Sequence, residues 1–191
     1  MGTRGLWGFR YNGQDKLTYN HFDSYPSNLG KTLIDFVKKS SVEEMKNIFN
    51  YIKLVNEKIV PTENEVKECI RFKTVDLGVG NQNYKDWYCL LRNSQGNPNY
   101  YRDGLKYMID SSKFIKDSLF CEYTYIINLD NECLEFYNGF QKTYDENPNN
   151  RYSKKDSDND EYFPCKLLGE IPFMDLNLKT LEALEEKEQK E

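Results

Sequence analysis

A chain of 191 residues with 38% apolar side chains and a formal charge of −5 is long enough for one self-sufficient core, which buries roughly 70% of the unfolded surface at this size. Its excess of acid argues against direct broad binding to nucleic acid, because phosphate recognition needs clustered Lys and Arg. No run approaches the ~20 apolar residues of a membrane span, and the start MGTRGLWGFR lacks the apolar core of a signal peptide, so a cytoplasmic protein without membrane contact is expected.

Fifteen Tyr and eleven Phe supply much of the burial that Leu and Val usually provide. The cysteines, Cys69, Cys89, Cys121, Cys133 and Cys165, are odd in number and include no CxxC pair. Reduced thiols in a cytoplasm fit this better than a disulfide framework or a zinc site.

Along the chain, residues 5–11 and 16–22 read as two strands around Asn12-Gly13, a turn signal. Gly5, Trp7, Phe9 and Tyr11 share one face of the first strand, and Leu17, Tyr19 and His21 share one face of the second. After Pro26, the spacing of Leu29, Leu33, Phe36 and Val37 predicts a helix. A longer one is predicted from the Ser41 cap, with Glu44 completing a capping box and an apolar stripe from Val42 to Ile59. Thr62 and Glu65 repeat the box before a short helix that buries Val66, Cys69 and Ile70.

Residues 73–82 read as loop. Tyr84, Trp87, Tyr88 and Leu91 mark a further helix ended by Gly96-Asn97-Pro98, and Tyr101, Leu105, Met108 and Ile109 mark another. The period then changes: CEYTYIINL and ECLEFY, joined at Asp130-Asn131, form the strongest hairpin pattern. Residues 143–161 read as a mobile polar surface loop, and 162–173 as an edge strand bearing Pro164 and Pro172.

The expected fold class is α+β: an antiparallel sheet built from the N-terminal and C-terminal hairpins and covered by a central block of helices. Residues 1–175 form the domain, and 176–191 form a charged C-terminal helix or frayed tail.

The segment YNHFDSYP, from Tyr19 to Pro26, carries the functional expectation. It holds the single histidine, His21, a group able to act as base near neutrality, with Asp23 as a carboxylate to hold its tautomer. Arg4, Asn20, His21, Asp23, Ser24 and Tyr25 are the candidate ligand or partner-binding residues. Asp23, Ser24 and Asn20 are equally suited to turn and cap roles. Asp156, Asp158 and Asp160 alternate like early calcium-loop ligands, but Glu161 and Leu167 stand where the loop needs Gly and Glu, so a metal is not expected. Gly78-Val79-Gly80 lacks the rest of a dinucleotide fingerprint, and no cofactor is expected. Arg71 and Arg92 read as solvent-facing helix residues.

A polar start running directly into a strand resembles the N-terminal-nucleophile (Ntn) hydrolases, which is compatible with an Ntn-like sandwich. That resemblance implies Thr3 as nucleophile, after loss of Gly2, with His21 and Asp23 in support. The opening MGTRGLWGFRYNGQDKLTYNHFDSYPSNLG, the hairpin YTYIINLDNECLEFYNGF and the segment YFPCKLLGEIPF resemble an uncharacterised family of bacterial and bacteriophage proteins. This implies a phage or mobile-element setting. No complete catalytic set is visible, which argues against an enzyme. The expected function is therefore a non-enzymatic intracellular binding protein that engages and inhibits a host defence factor, the partner being a host protein or complex. The alternatives are an Ntn-type amide hydrolase and a small-ligand or nucleotide-binding protein.

Overall fold

Asn12 and Gly13 take φ values of 51° and 71°, the positive angles of a tight hairpin turn. They join β1 (Gly5–Tyr11) to β2 (Gln14–Asn20), antiparallel with Gly5 opposite Asn20 and Tyr11 opposite Gln14. The structure, a computed structural model, describes residues 2–72, 86–154 and 161–188.

Beyond β2 the chain makes one π-helical turn at Pro26–Gly30 and enters α1 (Lys31–Lys38). Ser41 then caps α2 (Val42–Tyr51) by accepting the Glu44 N–H. The helix predicted to reach Ile59 stops here. Ile52 is extended, and β3 (Lys53–Val55) pairs in parallel with β4 (Tyr107–Ile109), opening with the bond from Lys53 N to Lys106 O at 2.6 Å. Pairing to a distant strand overrides the helical stripe, and Ile59 is left 63% exposed.

The Thr62–Glu65 capping box forms in full at the start of α3 (Glu63–Ile70), where Cys69 is buried and Ile70 is exposed. The short helices α4 (Trp87–Leu91) and α5 (Asn99–Arg102) follow. The helix expected to run on from Tyr101 to Ile109 breaks at Gly104, whose φ of 98° is open to glycine and strained for other residues. A 3₁₀ helix at Ser112–Lys116 leads towards β5 (Tyr123–Asn128) and β6 (Cys133–Asn138), then β7 (Lys166–Pro172) and α6 (Leu178–Glu188).

The fold class is α+β. The main sheet has the order β2-β1-β5-β6-β7, and every neighbouring pair is antiparallel except β1 and β5, where the two hairpins meet in parallel. β7 lies at an edge, as Pro172 suggests. One face presents Trp7, Phe9, Tyr125, Ile127, Leu134 and Phe136 to the helices. Leu176 and Leu181 belong to that same core, so the stretch after β7 packs on the body of the fold; a Cβ on Gly30 would lie 2.6 Å from Leu181.

The opposite face carries Leu6, Leu17, Ile126 and Tyr137 under Ile115, Cys121 and Cys165. Part of its cover is the polar segment expected to be a mobile loop. The described portion is tied down: Asn150 is buried and donates to Asp145 and to the Cys165 carbonyl, and Arg151 bonds Glu135 and Asp15.

All five cysteines are free. Among the described residues no helix is long and apolar enough to cross a membrane, and no group of acidic, His and Cys side chains is arranged to hold a metal ion. Gly78-Val79-Gly80, Tyr84 and the Asp156, Asp158, Asp160 series lie outside the described residues.

Candidate functional site

Strand β2 ends at Asn20, one residue before the histidine, so His21 stands in the reversal after the strand and not on its face. Asn20 builds that reversal. It is 5% exposed, and its amide donates to Phe22 O at 2.5 Å and to Ser24 Oγ at 2.8 Å. Asp23 takes a φ of 49°, a left-handed angle that Asp tolerates better than most residues. Ser24 is fully buried: its N–H donates to Thr3 O at 3.2 Å, and its carbonyl accepts the Tyr125 hydroxyl at 2.9 Å. Asn20, Ser24 and the Thr3 backbone thus form a frame that locks the N-terminus to the turn.

The outward groups are different ones. His21 is half-buried, and its Nδ1 lies 2.7 Å from the Tyr19 hydroxyl. Burial, together with Arg92 and Arg4, holds the imidazole pKa below its usual value, while burial pushes that of Tyr19 up against the opposing pull of Arg4. Both groups are kept neutral, which suits a Tyr19 O–H donated to Nδ1. Asp23, expected to hold the histidine tautomer, is exposed and makes no hydrogen bond to the ring; Tyr19 has that position. Thr3 is 4% exposed, and no hydrogen bond joins its hydroxyl to His21.

Two guanidinium groups act electrostatically on the histidine. Arg4 lies over the Phe120 ring at 5.1 Å, and Arg92 lies over Phe22 at 5.8 Å while donating to the Tyr88 hydroxyl. Phe22 meets the His21 ring edge-on with centroids 4.3 Å apart. Phe22 and Phe120 are 54% and 44% exposed, and Tyr25, packed on Tyr123, is 43% exposed. Among the described residues neither Arg4 nor Arg92 forms an ion pair. Arg92, read from the sequence as a solvent-facing helix residue, is half-buried in the 3₁₀ turn after α4. Arg71, read the same way, is exposed, its guanidinium 3.4 Å from the Gly104 carbonyl.

A small depression of about 250 Å³ lies beside this cluster, bordered by Asn20, Phe22, Asp23, Asn28, Arg92 and Gln95. Gln95 also borders a larger cleft of about 940 Å³, walled by Tyr19, Tyr88, Leu91, Ile109, Phe114 and Asp117 among others. Sequence reasoning missed this cleft, because its walls come from β2, β3, β4, α4 and the 3₁₀ helix at Ser112–Lys116. Only the aromatic content of those segments hinted at it.

Chemically, the cluster offers cations, aromatic faces and a neutral imidazole, without a nucleophile bonded to a base. Compared with known proteins, the chain matches no family model, no curated protein and no solved structure.

Proposed function

We propose that this chain is a non-enzymatic binding protein and that the surface around His21 is where it grips an acidic partner protein. The observation that carries this reading is the pair Arg4 and Arg92, each laid on an exposed phenylalanine and each acting electrostatically on the half-buried histidine. Arginine and large aromatics are the side chains that dominate interface energetics. On a chain of net charge −5, a local cationic patch selects a complementary acidic surface. We read the partner as a host defence factor, the class favoured by the phage or mobile-element setting expected from the opening segment. The amide-hydrolase alternative needs Thr3 as the first residue, with its own free amine as base; here Thr3 is 4% exposed and its carbonyl accepts the Ser24 N–H.

The test is quantitative co-purification from bacterial lysate with the wild-type chain and with an Arg4→Glu, Arg92→Glu double variant. A stoichiometric acidic partner should be retained by the wild type, lost with the variant and weakened by salt. Equal recovery with both proteins, or none with either, overturns the proposal.

A further inference from the structure

The cleft beside the His21 cluster has a composition of its own. Tyr88 and Phe114 stand in its wall with the aliphatic Leu54, Val55 and Leu91, and its 940 Å³ lies within the usual range for small-molecule sites. Phe114 is held edge-on to Tyr19 with centroids 5.3 Å apart, so the ring is braced before any ligand arrives. Asp117, three residues on, also borders the cleft, and its Oδ1 is buried with no hydrogen-bond partner. A shielded carboxylate oxygen without a donor is costly, and a small rotation about its soft terminal torsion offers it to an incoming N–H.

These features select among ligands. An apolar chain would leave Asp117 unpaired. The wall mixes these rings and aliphatic side chains with polar ones such as Asn56, Gln95, Ser111 and Ser112, which leaves partners for a ligand's ring nitrogens and exocyclic groups. A planar heterocycle covers the aromatic and aliphatic wall with its faces and supplies N–H donors at its edge. We infer that the cleft is a binding site for a nitrogen heterocycle of the nucleobase class, its ring against Phe114 and Tyr88 and an edge N–H donated to Asp117. This site uses residues other than Arg4 and Phe120, and it stands or falls independently of the partner surface.

The probes are adenosine, guanosine, cytidine and uridine with their 5′-monophosphates, each at about 1 mM, followed by saturation-transfer NMR and equilibrium dialysis. At least one should receive saturation on its base protons. Phe114→Leu, which keeps an apolar filler and removes the ring, and Asp117→Asn, which keeps the shape and removes the charge, should each weaken binding about tenfold. Circular dichroism verifies that both variants are folded. Arg4→Glu should leave nucleoside binding unchanged while abolishing partner capture, which separates failure of this site from failure of the surface. Absence of binding by every probe, or binding indifferent to both cleft substitutions, overturns the inference.

Discussion

Arg151 reaches from the segment after β6 to within 2.7 Å of Glu135, a strand residue whose side chain is 1% exposed. The same guanidinium bonds Asp15 at 3.0 Å, and Tyr137 and Tyr152 close the network with hydroxyl bonds to Glu135 and Asp15. One side chain therefore joins β2, β6 and the polar cover of the second sheet face. Removing it strands a buried carboxylate. Arg151→Ala should cost about 3–5 kcal/mol in urea unfolding, and Arg151→Lys should recover only part of that, because an ammonium cannot bridge both acids as a planar fork does.

Gly8 of β1 leaves no room for a side chain against β2: a Cβ there would lie 2.0 Å from the Lys16 carbonyl oxygen. Backbone opposes backbone, so no side chain can yield. Gly8→Ala should destabilise by at least about 3 kcal/mol. Gly13→Ala meets nothing within 4 Å and is opposed only by its φ of 71°, so it should cost about 1–2 kcal/mol. Equal losses in thermal melting for the two variants would contradict this assignment of cause.

Within YNHFDSYP the frame and the surface should separate experimentally. Asn20→Ala removes the donor to Phe22 O and Ser24 Oγ in a buried position and should cost about 1–3 kcal/mol. His21→Ala removes one bond at a half-buried position and should cost about 1 kcal/mol or less. Chemical denaturation of the two variants reads the difference.

Histidine titration carries a defined sign. Burial, Arg92 and Arg4 lower the His21 pKa in the folded protein, so in acid the unfolded chain binds the proton more readily. Stability should be unaffected by His21 above the ordinary histidine value near 6.5 and should fall as pH drops below it, until the folded ring is itself protonated. Arg92→Gln should move the NMR titration of the single histidine upward, and an unmoved or lowered midpoint would remove Arg92 from the set of causes.

Thiol labelling should be selective. Cys89 is partly exposed, whereas Cys69, Cys121, Cys133 and Cys165 are buried, and burial pushes the Cys69 and Cys133 thiols up to about 12. An aromatic disulfide reagent under native conditions should modify Cys89 first, and the remaining four only on unfolding. Mass mapping of the labelled peptides gives the order.

Local patterns in the chain specify what they physically control. Asn12-Gly13, Ser41 and Thr62–Glu65 act through backbone angles and bonds within a few residues, and each appears where the sequence places it. Alternation in CEYTYIINL and ECLEFY likewise needs only the period of a strand. The helical stripe over 42–59 failed because β3 finds its partner at β4, more than fifty residues later. The site divides the same way. That His21 lies near a turn is legible in YNHFDSYP, but Tyr19 as the imidazole's partner, Arg92 beside Phe22 and the cleft at Phe114 and Asp117 are products of packing. Sequence by itself set the turns, the caps and the strongest hairpin, because these are closed by neighbouring residues. Tertiary structure alone decided which strands meet in parallel, which polar groups are locked inside and which cations face outward, because those depend on surfaces brought together from distant parts of the chain.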